Sequence, residues 1–251
     1  MNLTIPLRSE LLKTKRTASW YFVVIIAVAV SALFVLTVCS NNPSHNVNPW
    51  TGIFTEEFKS LNLLVLPMIT ILIGTLLPQI EYKNNTWKQL LTSPQTLIQV
   101  YFSKFLIMQL FLLLFLFLFL LCSALSSLFI GMAKSSLHLF DRAPDWQFLA
   151  QSSVRTYLAI LSVSIIQFIL GLTMKNFIGP VATGFILWML GNLLLFEMHS
   201  SLANYFPYSF SAMAVFPRYG ASFPMVEIIS VGLSVFCLAV GYLFFAMKRS
   251  G

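Results

Sequence analysis

The chain has 251 residues, 58% of them hydrophobic and only 9% charged, and its 15 Lys and Arg against 8 Asp and Glu give a formal charge of +7. Soluble domains carry roughly 25% charged residues, so this composition excludes the one or two water-soluble domains that the length alone would allow. It also leaves no room for a separate catalytic domain beside the apolar segments, and no basic tail with interleaved aromatics of the kind that binds single strands.

In chain order, Pro6 opens a short helix over 6–17. Leu7, Leu11 and Leu12 lie to one side, and Arg8, Lys13, Lys15 and Arg16 lie toward water, the pattern of a helix lying in a headgroup layer. Six windows then lack Asp, Glu, Lys and Arg altogether: 17–55, 60–80, 105–133, 156–174, 176–196 and 228–247. Each is long enough for the roughly 20 apolar residues of a membrane-crossing helix. Inside hydrocarbon every backbone polar group must be satisfied within its own segment, so each window is read as a helix. The apolar run from Trp20 to Val38 exceeds the roughly 7–15 residues of a signal-peptide core, and the first window is read as a retained span.

Asn41-Asn42-Pro43 and Asn46-Val47-Asn48-Pro49 predict a turn-rich loop over 40–58. Pro67, Gly74 and Pro78 predict a kinked second span whose freed carbonyls are met by neighbours or water. Glu81 to Lys104 forms the most informative polar stretch. Asn84 or Asn85 can cap a short helix bearing Trp87, Leu90 and Leu91 on one side, and Ser93-Pro94 ends it. An apolar knob of this kind presented to water is expected to meet a partner. The Leu- and Phe-rich third span is expected to contact lipid heavily and to tilt. Asp141 to Trp146 suggests a short interfacial helix, and Lys175-Asn176 a tight turn. Pro207, Pro217 and Pro224 break 204–224 into pieces too apolar for a free loop, which predicts a re-entrant segment.

These elements define one transmembrane domain over 1–251, an all-α integral membrane protein. Its spans fall at about 19–39, 60–80, 104–131, 153–174, 177–197 and 226–247, with a cytoplasmic loop over 81–103. Lys and Arg in short loops mark the cytoplasmic side. With the N-terminus inside, ten such residues are internal and five external, so both termini are expected in the cytosol. Cys39, Cys122 and Cys237 have no metal or disulfide spacing. Glu197 and Glu227 lie at the outer ends of the fifth and sixth spans; they are either solvated boundary residues or a candidate outer gate or cargo contact. Lys175 and Arg155 read as snorkelling anchors.

The order of an amphipathic helix, six spans and a Glu-led inner loop resembles the small permease subunits of type-2 ATP-binding-cassette transporters, in particular those of lantibiotic and bacteriocin immunity. The resemblance is carried by Glu10-Leu11-Leu12-Lys13 before the first span and by Glu81, Thr86-Trp87, Leu90-Leu91, Ser93-Pro94 and Ser103-Lys104, which look like the family's coupling helix running into the third span. It implies a non-enzymatic transport subunit of the bacterial inner membrane, driven by a cytosolic ATP-binding subunit and paired with a second copy or a sister permease among membrane lipids. Glu81, Thr86, Trp87, Leu90 and Leu91 would couple to the ATPase. The cargo class expected is an exported amphipathic or hydrophobic molecule, such as an antimicrobial peptide or lipid.

The chain has no Gly-x-x-x-x-Gly-Lys-Ser/Thr phosphate loop, so ATP would be held by the partner and no cofactor or metal is expected here. Two alternatives stand beside this reading. One is an intramembrane enzyme of the bacteriocin-immunity protease type, suggested by Glu56-Glu57. That family's motif continues with three residues and an Arg, where this chain has Leu61, and His45, His138 and His199 show no metal-ligand spacing. The other is a non-transporting membrane scaffold or sensor, since polar residues within the spans are few.

Overall fold

The computed structural model describes residues 4–15, 17–40, 48–83, 96–219 and 223–250. Six helices are long and apolar enough to cross a membrane: Ser19–Val38, Pro49–Tyr82, Leu97–Ala133, Trp146–Thr173, Ile178–Glu197 and Pro224–Met247. Among the described residues there is no strand. The chain is an all-α, multi-pass membrane protein. We label its α-helices α1 (Thr4–Thr14), α2 (Ala18–Ser40), α3 (Pro49–Ser60), α4 (Leu66–Lys83), α5 (Leu97–Ala133), α6 (Trp146–Thr173), α7 (Ile178–Asn192), α8 (Phe210–Met213) and α9 (Phe223–Ser250).

The second span departs most from expectation. Asn48 caps α3, its Oδ1 accepting from the N–H of Trp50 at 3.1 Å, and Pro49 takes the first helical position, where a missing N–H costs nothing. The segment read as a loop to residue 58 is therefore helical from Pro49. A π-turn over Leu61–Val65 then joins α3 to α4 in one rod. Pro67 has no N–H to return to the carbonyl of Leu63. That oxygen accepts instead from Trp188 Nε1 at 2.9 Å, as the kink argument requires. The expected interfacial helix at 141–146 is replaced by two short 3₁₀ turns, Ser135–Leu137 and Leu139–Asp141, after which Asp145 caps α6 by accepting from Phe148 N–H at 3.0 Å.

Helices α4 and α6 form the centre, and α6 also packs along α9, while α5 receives α1 and α2. The α3–α4 and α6 windows are 61% buried, against 22% for each of α2, α7 and α9, whose remaining faces are left for lipid or another subunit. The close approach of α4 and α6 depends on Gly171: a Cβ there would stand 2.5 Å from the carbonyl oxygen of Gly74. Small residues allow such backbone contact where a hydrophobic driving force between helices is absent.

Helix α5 has two faces: Leu110, Leu113, Phe117 and Leu121 are 47–62% exposed and leave an apolar outer face of the kind expected to meet lipid, while the other face is buried. Phe111, Phe115 and Phe119 are each 1% exposed or less, four residues apart on the face turned into the bundle. Its 37 residues extend about 55 Å, well beyond a hydrocarbon layer of roughly 30 Å, so the helix must tilt or project beyond that layer.

Candidate functional site

At the end of the bundle where the N-terminal helix lies, four charged side chains from three helices meet. Lys13 Nζ of α1 lies 2.7 Å from Glu10 Oε1 and 3.0 Å from Glu81 Oε1 at the end of α4. Lys104 Nζ of α5 lies 2.8 Å from Glu10 Oε2 and 2.6 Å from Glu81 Oε1. Glu81 is fully buried and Lys104 is 3% exposed. Such burial is tolerable because two cations face two anions at hydrogen-bond distance. Burial opposes the charge on Glu10, but the ammonium groups of Lys104 and then Lys13 outweigh it and hold the carboxyl below its usual range. Burial likewise opposes the charge on Lys13, and Glu10 and then Glu81 overcome it, leaving the ammonium above its ordinary value.

This cluster sits at both roots of the 84–95 segment, since Glu81 precedes it and Lys104 follows it. The same root is tied to the turn between the fourth and fifth spans. Tyr82 donates its hydroxyl to the carbonyl of Leu172 at 2.6 Å, and Gln79 Nε2 donates to the carbonyls of Met174 and Asn176 at 2.9 and 3.1 Å. Glu81 Oε2 is buried with no hydrogen-bond partner among the described residues. Of the coupling residues read from the sequence, Glu81 is central to the cluster, while Thr86, Trp87, Leu90 and Leu91 lie outside the described residues.

A second set of polar groups runs through the bundle interior. Gln167 of α6 is its hub: Nε2 donates to Thr75 Oγ1 at 3.0 Å and to the carbonyl of Pro180 at 2.8 Å, while Oε1 accepts from the Tyr208 hydroxyl at 3.3 Å. One side chain thus links the second, fourth and fifth spans to the broken segment 201–219. Nearby, Gln109 reaches Ser164 and Tyr157, and Asn62 donates to Thr156 at 3.0 Å.

A model of the ABC-2 family transporter proteins matches residues 6–191, which takes in the charge cluster, the 84–95 segment, the first four spans and most of the fifth. The chain belongs to this ABC-2 transporter family. Comparison with curated proteins and with solved structures returns no match. Membership makes the chain a membrane permease subunit of an ABC transporter and implies an ATP-binding partner.

Of the remaining glutamates of this ABC-2 permease, Glu57 alone departs from the expectation. Glu197 ends the π-turn Leu193–Glu197, is exposed, and makes no ion pair among the described residues. Glu227 faces Arg155 across 4.0 Å, so Arg155, read from the sequence as an anchor, has a carboxylate partner. Glu57, which the sequence reading left in an outer loop, is 2% exposed inside the bundle, and the hydroxyls of Ser123 and Ser126 both donate to it, the latter at 2.9 Å. Its neighbour Glu56 points outward to Lys59 at 2.6 Å. The helical turn separates the pair, and serines at spacing three on α5 were the signal that Glu57 faces inward.

Proposed function

We propose that this permease couples ATP hydrolysis by a separate cytosolic subunit to the outward movement of an amphipathic or hydrophobic cargo, an antimicrobial peptide or a lipid, across a bacterial cytoplasmic membrane. Both termini and the 84–95 segment face the cytosol. Glu81, Thr86, Trp87, Leu90 and Leu91 form the ATPase contact and its root, and a second copy or sister permease completes the path. On this reading the chain is a permease of the lantibiotic-immunity type.

The observation that carries this reading is the buried Glu10–Lys13–Glu81–Lys104 cluster. A displacement of the 84–95 segment by a docked ATPase must pass through its two roots. Those roots are clamped to each other and to α1, and through Gln79 and Tyr82 to the turn after α6. Movement at the membrane surface therefore reaches α4, α5 and α6 together, and Gln167 carries it to the far segment. The low burial of α2, α7 and α9 supports the pairing, since it leaves broad apolar faces for a second permease.

The test uses the full complex. Trp87→Ala should still insert at the normal membrane level but co-purify with at least tenfold less ATPase subunit, since an aromatic anchor in a partner's pocket commonly carries about 2 kcal/mol or more. Unchanged co-purification would remove the 84–95 segment from the coupling contact. Topology is checked in intact cells: an impermeant thiol reagent should label a cysteine placed at Asn46 or Gln147 and miss one at Asn85, and the reverse pattern would overturn the orientation.

A further inference from the structure

At the face opposite the N-terminal helix, the end of the fifth span and the broken segment 201–219 enclose a pocket of about 240 Å³. Among the described residues its polar lining consists of His199, Ser200, Ser201, Asn204, Arg218 and Tyr219, with no acidic side chain. The guanidinium of Arg218 makes no hydrogen bond or ion pair among the described residues. An Arg left without a carboxylate keeps all five donors in a planar fork suited to an oxyanion.

The backbone is shaped to make this pocket. His199 adopts a left-handed conformation, φ 45°, which a non-glycine residue holds only when its surroundings enforce it, at a cost of about 1–3 kcal/mol. Ser200 N–H returns to the carbonyl of Leu194 at 3.0 Å, closing the helix end, and His199 Nδ1 donates to the carbonyl of Leu195 at 3.2 Å. Tyr219 donates to that same carbonyl at 3.1 Å, which brings the neighbour of Arg218 back onto the helix end. Behind it, Ser209 and Phe210 are fully buried, so the segment is anchored and does not drift as a free loop.

Size and surroundings select the ligand. The volume is below the roughly 300–1,000 Å³ of sites that swallow a drug-sized molecule, so it holds a headgroup and excludes a folded peptide. Met198, Leu202 and Tyr205 beside it are each about 60% exposed, which gives acyl chains an apolar surface next to a cationic pocket. We propose that this pocket is a phosphate-binding site for the phosphodiester of a membrane lipid in the leaflet opposite the termini. Arg218 takes the phosphate oxygens through its fork, with Ser200, Ser201 and Asn204 as neutral donors.

The full chain in detergent, analysed by native mass spectrometry, tests this without the ATPase, so the outcome is independent of the coupling proposal. Three probes are used: dioleoylphosphatidylglycerol, a neutral galactosyl diacylglycerol with the same tails, and inorganic phosphate. The wild type should retain one phosphatidylglycerol at least tenfold more tightly than the glycolipid. Arg218→Gln should lose that preference, the change expected for one charged hydrogen-bond donor set. Arg218→Lys, which keeps the charge without the fork, should fall between. Asn204→Ala, which keeps the guanidinium, should weaken the lipid without affecting the glycolipid. Inorganic phosphate binding as tightly as the lipid would sustain the phosphate chemistry and assign the site to a free anion. Equal retention of phosphatidylglycerol and glycolipid, or an Arg218→Gln variant indistinguishable from wild type, would overturn the proposal.

Discussion

The two ends of this permease treat charge in opposite ways. At the N-terminal end, Glu10, Lys13, Glu81 and Lys104 neutralise one another in a buried cluster with four contacts of 3.0 Å or less. At the other end, Glu197 and Arg218 are exposed and unpaired among the described residues, Arg155 and Glu227 stand 4.0 Å apart, and the tight pair Glu56–Lys59 lies within one helical turn and ties no helices together. A closed cluster gains nothing from a ligand, because each charge is already met; it can only hold helices in register. An open charge holds nothing in place and is available to bind. On the two proposals made above, the first end does mechanical work and the second does recognition.

The largest predicted effect breaks the closed end. Glu81→Leu or Lys104→Leu alone leaves an uncompensated buried charge, and each should destabilise the chain by about 3–5 kcal/mol. The double variant leaves Glu10 and Lys13 as a closed pair, so it should cost less than either single change. A thermal unfolding cycle on the four proteins in detergent measures this. Additive losses would mean that the two residues do not act as a cluster.

A smaller effect is expected at the crossing that joins the ends. Gly171→Val places a branched side chain where even a Cβ would lie 2.5 Å from the Gly74 carbonyl oxygen, and should cost about 1–3 kcal/mol. The same substitution at Gly232, where a Cβ meets nothing within 4 Å, is the control and should be nearly silent.

The smallest effect is on pH dependence. Glu10 has a lowered folded value, so its stabilisation is present above the ordinary carboxylate value of 4.5 and is lost as pH falls through the folded value. Lys13 has a raised folded value, so its stabilisation is full below the ordinary value of 10.5 and is lost as pH rises through the folded value. Unfolding midpoints should therefore form a plateau between these limits. Glu10→Gln should flatten the acid limb, and a variant with an unchanged acid limb would contradict the assignment.

Much of the architecture was legible because hydrocarbon leaves so few options. Charge-free stretches of about 20 residues locate spans without any knowledge of packing, and the prolines of 204–224 marked the broken segment. The start of the second span was missed for a local reason. Asn48-Pro49 was read as a turn, although a capping side chain followed by proline at the first helical position is equally the start of a helix. The site was legible only as separate pieces. Glu10, Lys13, Glu81 and Lys104 could be picked out singly, but their meeting depends on how α1 lies against α4 and α5, which no periodicity encodes. The interior polar residues looked few because most are single Ser, Thr, Asn or Gln side chains scattered along apolar helices. Tertiary packing collects Thr75, Gln167 and Tyr208 into one network, and turns Glu57 away from its twin Glu56.

The measurement closest to the central claim asks whether the closed end controls the open one. In a background lacking Cys39, Cys122 and Cys237, a cysteine at Ser201 reports the far segment through its rate of reaction with an impermeant maleimide. In the complete complex with its ATPase, trapping with ATP and vanadate should change that rate. With Glu81→Gln, which removes the charge but keeps the shape, the complex should still assemble at the normal membrane level and the nucleotide-dependent change should vanish. A change of the same size in Glu81→Gln would show that the charge cluster does not transmit the ATPase cycle across the permease.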